Sequence, residues 1–207
     1  MHNINTVIFD LGNVLINWDP NHLYKKIFSA DEEREHFLNN ICTSDWNVQQ
    51  DAGRTLQEAT EILVAQHPNY KNEIEAFYGR WTEMIGGAIQ ETVAILKQLK
   101  TENKVHLYAL TNWSNETFPY AIENFEFLQL FEGILVSGDE KLIKPDTRIY
   151  ELMMQRYNIS PTEAVFIDDS EKNIVGAKAI GLHGLHFTES EKLRKELEEL
   201  GLLGIVR

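Results

Sequence analysis

The chain carries a single cysteine, Cys42, among its 207 residues. An intramolecular disulfide is therefore excluded, and packing and hydrogen bonds must hold the fold. Such sparing use of cysteine fits a reducing, cytoplasmic setting. Cys42 lies in a polar stretch with no nucleophile signature around it. Long hydrophobic runs are also missing. No segment approaches the ~20 apolar residues that span a bilayer. The first residues, "MHNINTVIFD", lack a charged segment followed by a long apolar run, so no signal peptide is expected. Positive charge is scarce as well: 19 Lys and Arg against 32 Asp and Glu leave a formal net charge of -13. A surface this negative repels polyanions, which argues against nucleic acid as a partner. A small anionic substrate stays possible where a lysine and a metal ion invert the field at one site. There is no internal repeat and no low-complexity segment.

What is present is an alternation of short apolar runs and amphipathic segments. Strands are predicted at 6–10 ("TVIFD"), 105–110 ("VHLYAL"), 133–137 ("GILVS"), 164–169 ("AVFIDD") and 184–187 ("GLHF"). Helices are predicted near 88–100, 115–124, 146–157, 171–180 and 189–200. This order implies an α/β fold: a Rossmann-like parallel sheet with helices on both faces. One interval, about 19 to 86, shows no convincing buried strand and reads as several helices. Asp19 is placed to cap the first, with Pro20 at its first turn. Thr55 and Glu58 have capping-box spacing. Gly86-Gly87 reads as a return hinge. The expected organisation is a core domain of 1–16 and 87–207 with a helical domain of 17–86 inserted.

Ligands of open α/β sheets bind beyond the carboxyl ends of the strands. At those ends the sequence places Asp10, then Thr111 and Asn112, then Asp168 and Asp169 with Asn173 following. Lys144 comes after the strand at 133–137. Taken singly, each has an ordinary reading as a cap or a surface residue. Together they point to chemistry. Adjacent carboxylates repel and lose solvation, and a hard divalent cation with oxygen ligands relieves both. A lysine and a hydroxyl at the same rim suit a phosphate.

The stretches "VIFDLGNVL", "LYALTNWS", "KLIKPDTRIY" and "VFIDDSEKNIVGAKAIG" resemble, in order, the four motifs of the haloacid dehalogenase superfamily. The resemblance covers nearly the whole chain, with the helical interval where that superfamily carries its α-helical cap. "DLGNVL…WDP" and "LTNWS" look most like the branch of sugar-phosphate phosphatases that includes α-glucose-1-phosphatases. The resemblance implies a Mg²⁺-dependent phosphatase acting on a small phosphorylated metabolite. Asp10 would be the nucleophile that forms an aspartyl phosphate. Thr111 and the backbone of Asn112 would hold the phosphoryl oxygens. Lys144 would bridge Asp10 and the phosphate. Asp10, the Gly12 carbonyl, Asp169 and, directly or through water, Asp168 would bind Mg²⁺, with Asn173 orienting the last motif. Two other readings compete: a 2-haloacid dehalogenase, and a non-catalytic binding protein that keeps the fold.

The sequence departs from the family at one position. The usual second aspartate, two residues after the nucleophile, is replaced by Gly12. That aspartate protonates the leaving oxygen, and loss of a general acid costs about 10²- to 10⁴-fold. Either the protein is weakly active, or another group such as Asp19 or a metal-ordered water supplies the proton, or the leaving group needs little help. An anomeric phosphate fits the last case. Trp46 and Gln50, four apart on one helix face, are candidates to line the substrate pocket, with packing inside the helical block as the ordinary alternative for Trp46. Arg54 and Arg80 could meet a second anionic group but are read as surface residues. His183 and His186 are read as structural.

Overall fold

The computed structural model describes residues 4–204. A five-stranded, fully parallel sheet runs in the order β5-β4-β1-β6-β7. Its strands are β1 (Thr6–Phe9), β4 (His106–Thr111), β5 (Gly133–Val136), β6 (Ala164–Asp168) and β7 (His183–His186). All five fall where the apolar runs predict them, and the architecture is the expected α/β fold. β1 lies at the centre and is buried along its whole length. This explains its unbroken apolar run, since a parallel strand is covered on both faces. Side chains alternate between two cores. Val7 and Phe9 join one with Leu107, Ala109, Val165 and Ile167. Ile8 joins the other with Leu110 and Phe166. Each such fully buried side chain contributes about 1.5–3 kcal/mol.

The chain leaves β1 for β4 and β5 on one side, then crosses to β6 and β7 on the other. The direction of winding therefore reverses between β1 and β6, where the ladder continues as Asp10 N–H donating to the Ile167 carbonyl at 2.8 Å. Loops diverge at such a switch point and leave a crevice. The register Phe9 to Ile167 and Phe9 to Ala109 brings Asp10, Asp168 and the end of β4 to one level.

Within the interval 19–84 the chain makes five α-helices: α1 (Asn21–Ile27), α2 (Asp31–Asn40), α3 (Ser44–Asp51), α4 (Leu56–Gln66) and α5 (Lys71–Gly79). They centre on aromatic packing, with Tyr24 and Phe37 at 4.9 Å and Trp46 and Phe77 at 5.0 Å between ring centroids. Thr55 caps α4 as its spacing predicts, accepting from the Glu58 N–H at 3.2 Å. Asp19 differs slightly: Pro20 takes the cap position, and the Asp19 carboxylate accepts from Asn21 N–H at 2.8 Å and Asn21 Nδ2 at 2.9 Å.

The helical block is bracketed by two short strands that the sequence reading did not contain, β2 (Ile16–Trp18) and β3 (Ile85–Ala88), paired antiparallel. Gly86-Gly87 is thus a strand segment rather than a free hinge; Gly87, at φ 101°, needs the conformational freedom of glycine to hold it. After β3 come α6 (Gln90–Glu102), α7 (Phe118–Asn124), the short α8 (Ser137–Glu140), α9 (Thr147–Tyr157), α10 (Glu171–Ala179) and α11 (Ser190–Glu199). α6 and α11 cover one face through Leu96, Leu99, Leu193 and Leu197. α9 and α10 cover the other through Ile149, Met153, Ile174 and Ala177. Among the described residues no helix is long and apolar enough to cross a membrane.

Candidate active site

Lys144 is the centre of the strand-end cluster. It is 2 % exposed, and its Nζ lies 2.9 Å from Asp10 Oδ1 and 2.7 Å from Asp168 Oδ2. The ammonium also donates to the Leu110 carbonyl at 3.0 Å and sits 5.3 Å from the centroid of the Phe166 ring. Asn112 fixes the lysine backbone with two bonds: its Nδ2 donates to the Lys144 carbonyl at 3.0 Å, and its Oδ1 accepts from the Lys144 N–H at 2.8 Å. A charge this deep is tolerated because every donor has a partner and both neighbours are anionic.

Asp10, Asp168 and Asp169 bring carboxylate oxygens within 4.8 Å of one another. Burial pushes the Asp10 carboxyl upward; Lys144 opposes that, and repulsion from Asp168 and Asp169 adds to it. Burial, then repulsion from Asp168, raises Asp169 as well. Lys144 moves upward in spite of its own burial, because Asp10 and Asp168 outweigh the desolvation. One lysine facing three acids leaves an excess of negative charge, which adds to burial in raising Asp10 and Asp169.

The three acids are not equivalent. Asp168 is fully occupied: Oδ1 accepts from Ser170 N–H at 2.8 Å and Asn173 Nδ2 at 3.0 Å, and Oδ2 accepts from Lys144 and, at 3.1 Å, from Asn173. It is a brace between Lys144 and the last motif rather than a free ligand. Asn173 holds it, as expected. Asp10 is engaged through Oδ1 only, by Lys144 and the Leu11 N–H at 2.7 Å. Asp169 is held through its backbone, where His186 Nε2 donates to its carbonyl at 2.9 Å. The Thr111 hydroxyl is buried and has no hydrogen-bond partner among the described residues. A buried, unpaired polar group beside an acid cluster marks a place for a ligand. Hard oxygen donors around excess negative charge fit Mg²⁺, and the orphan hydroxyl fits an anion beside it.

Gly12 does not sit where a glycine is required. A Cβ there would meet nothing within 4 Å, and the left-handed conformation of this turn falls on Asn13, φ 54°. The position is open space at the edge of a cavity of about 100 Å³. Gly12, Asn112 and Ser114 line it from the strand side, and Asn47, Asp51, Tyr78 and Trp81 from the helical block. Trp18, Trp113 and Thr117 complete its walls.

This arrangement corrects two expectations. Trp46 and Gln50 do not line the cavity. Trp46 packs against Phe77 and Tyr78, and Gln50 is fully buried, donating to the Tyr78 hydroxyl at 2.7 Å and the Trp46 carbonyl at 2.9 Å. The neighbouring face of α3, Asn47 and Asp51, faces the cavity instead. Asp19 is engaged by Asn21 at the start of α1 and is not part of the cavity wall. Arg54 is tied to Gln50 at 2.8 Å, and Arg80 pairs with Glu83 at 2.7 Å; neither reaches the site. Cys42 is buried, with its thiol pushed up by desolvation, and is inert as a nucleophile.

Asp51 was not singled out by the sequence. Its signal was the same i, i+4 spacing that drew attention to Trp46 and Gln50, shifted by one residue. Burial pushes its carboxyl up to about 7, against a hydrogen bond from the Ser114 N–H and the attraction of Lys144.

Known proteins resemble this chain along most of its length. A sesquiterpene phosphatase from Aspergillus oryzae is 28% identical over 193 residues, covering 93% of this chain and 94% of that protein. A phosphorylated carbohydrates phosphatase from Thermotoga maritima is 24% identical over 209 residues, covering 97% and 93%. A haloacid dehalogenase family enzyme from Bacteroides thetaiotaomicron, solved with magnesium and inorganic phosphate, superposes with a TM-score of 0.67 at 25% identity, over 89% of this chain and 94% of that one. The family model for haloacid dehalogenase-like hydrolases matches residues 4–181, and with the strand-end cluster in place this chain belongs to that family.

Proposed function

We propose that the chain is a Mg²⁺-dependent phosphatase of small phosphomonoesters, with the 17–86 helical block as the cap over its site. The observation that carries this reading is Lys144 wedged between Asp10 and Asp168, with Asp169 completing an acid cluster that needs a cation. A metal-free dehalogenase would have no use for that surplus of acids. The names of the Aspergillus and Thermotoga relatives support the phosphatase reading.

Asp10, Asp169 and the Gly12 carbonyl would hold Mg²⁺. When bound, the ion neutralises charge on the phosphoryl oxygens and the acids. Lys144 and the Thr111 hydroxyl, with the Asn112 N–H, seat the same oxygens, so an anionic ester can approach an anionic nucleophile. Asp10 attacks phosphorus, and the phosphorus–oxygen bond of the ester breaks to give an aspartyl phosphate. Asp168 takes no part in the bonds that change; it fixes Lys144.

The cavity is small beside the roughly 300–1,000 Å³ of usual ligand pockets, which favours a compact substrate. Its aromatic walls offer flat apolar faces next to the phosphate seat. A sugar phosphate such as glucose-1-phosphate is the proposed substrate class, on the resemblance of "DLGNVL" and "LTNWS" to that branch. The test is a phosphate-release screen with Mg²⁺ over hexose 1-phosphates, hexose 6-phosphates and a prenyl monophosphate. Activity should vanish in excess chelator and in Asp10→Asn. Turnover that survives either one overturns the assignment it probes.

A further inference from the structure

An acid is missing at Gly12, and the position is open. Across the same cavity, from the helical block, stands Asp51. We propose that Asp51 is the general acid and base of this enzyme, replacing from the opposite wall the aspartate that Gly12 lacks. The inference rests on the phosphatase reading above.

The backbone places Asp51 for that role. It is the last residue of α3, and its carbonyl accepts from the Ser137 hydroxyl at 2.6 Å. Ser137 in turn accepts from the Trp113 N–H at 2.9 Å. The end of α3 is therefore fastened to the loops that follow β4 and β5, the loops that also carry Asn112 and Ser114. The Ser114 N–H acts on the Asp51 carboxyl from the strand side and lowers its pKa. Gly12, two residues past Asp10, lines the same cavity as Asp51, so that cavity borders the nucleophile's turn.

Desolvation favours the protonated form, and it outweighs the opposing attraction of Lys144. Desolvation raises the carboxyl to about 7, so near neutral pH both forms are populated, as a group that must give and then take a proton requires. The charged or titratable groups around it are Lys144 on the strand side and Tyr78 from α5. Arg54 is bound to Gln50 on the next turn of the chain. On α8 and just after it, Glu140 is paired with Arg156, and Asp139 and Lys141 are exposed.

The chemistry balances without a further reactant. Asp10 forms a bond to phosphorus while the bond to the leaving oxygen breaks. That oxygen takes the Asp51 proton and departs as an alcohol. Water then attacks phosphorus and gives a proton to the Asp51 carboxylate. The bond from phosphorus to Asp10 breaks, phosphate leaves, and both acids return to their starting states.

The experiment compares wild type, Asp51→Asn and Asp19→Asn on an alkyl phosphate and on p-nitrophenyl phosphate. Asp51→Asn should lose about 10²- to 10⁴-fold in kcat/KM on the alkyl ester. On the aryl ester, whose leaving group departs without a proton, it should release a first equivalent of nitrophenolate as fast as wild type. Steady-state release should then be slow, because hydrolysis of the aspartyl phosphate has lost its base. Asp19→Asn should match wild type on both. Wild-type kcat/KM on the alkyl ester should fall above about pH 7, a limb that Asp51→Asn lacks. Equal losses on both esters with no burst, or a leaving-group-dependent loss in Asp19→Asn, overturn the assignment of Asp51. Should Asp51→Asn fail to fold, the wild-type profile decides: no descending limb near neutral pH overturns it too. A wild type inactive on every phosphomonoester overturns the proposed function as well, which separates the two failures.

Discussion

Lys144 on the strand side of the cavity and Asp51 on the helical side are both ionisable groups drawn out of water, and they are held very differently. Lys144 has two carboxylates, a carbonyl and an aromatic face around its ammonium, and Asn112 clamps its backbone. Asp51 has the Ser114 N–H acting on its carboxyl and the Ser137 hydroxyl donating to its carbonyl, both from outside its own helix. The strand side is over-determined: each residue is fixed by several others, as suits groups that must stay charged and still. The helical side is held at few points, as suits a group that must change protonation in every cycle. The lesson is that fixed charge and transferable charge call for opposite degrees of constraint.

The sharpest way to break this contrast is Lys144→Ala. Two buried acids would lose their counter-charge. Removing one partner of such a pair costs about 3–5 kcal/mol, and losing one preorganised contact to the phosphoryl group costs about 10²- to 10³-fold in turnover. Denaturant unfolding and phosphate release measure the two separately. A variant with wild-type stability would show that the strand-side acids are not paired in solution as described.

Within α3 the two faces should separate. Trp46→Ala, on the face packed against Phe77 and Tyr78, should destabilise by about 3 kcal/mol with KM unchanged in the folded fraction. Asn47→Ala, on the cavity face, should raise KM with little loss of stability. Reversed effects would mean that α3 presents its other face to the substrate.

The smallest expected effect concerns Asp51 and pH. A carboxyl raised in the folded state contributes stability that is present below its unfolded pKa and is lost as pH rises through about 7. Asn does not ionise, so Asp51→Asn should be more stable than wild type at pH 8 and equal to it at pH 4. Partial access to solvent reduces the difference to about 1 kcal/mol, or about 2–4 °C in Tm for a chain of this size. Equal melting temperatures at pH 8 would place the carboxyl in water.

The same contrast governs what could be read from sequence. Asp10, Thr111 and Asp168 each follow or end an apolar run of four or more residues, so strand periodicity alone delivers them to one rim. Lys144 and Asn173 came with the motifs around them. On α3, helical periodicity yields several candidate faces, and nothing in "SDWNVQQDAGR" says which one turns outward. The bulk of Trp46 drew the reading to that face, whereas its bulk is what seats it in the aromatic centre of the block. β2 and β3 escaped for a different reason. They are three and four residues long, partly buried, and one contains a glycine pair that reads as a break.

That ribbon has a consequence for how such a protein can be altered. Ile16 and Ala88 are register partners, so the helical block begins and ends side by side. No rung of the five-stranded ladder passes through it. In chain connectivity the block is a module that can be exchanged without rethreading the sheet, leaving Asp10, Lys144 and Asp169 where they are. In packing it is not separable, because one continuous core runs from Leu11, Val14 and Leu15 into Tyr24, Phe37 and Phe77. A transplanted block must therefore bring a matching apolar underside, and under the present assignment it must also bring its own proton donor.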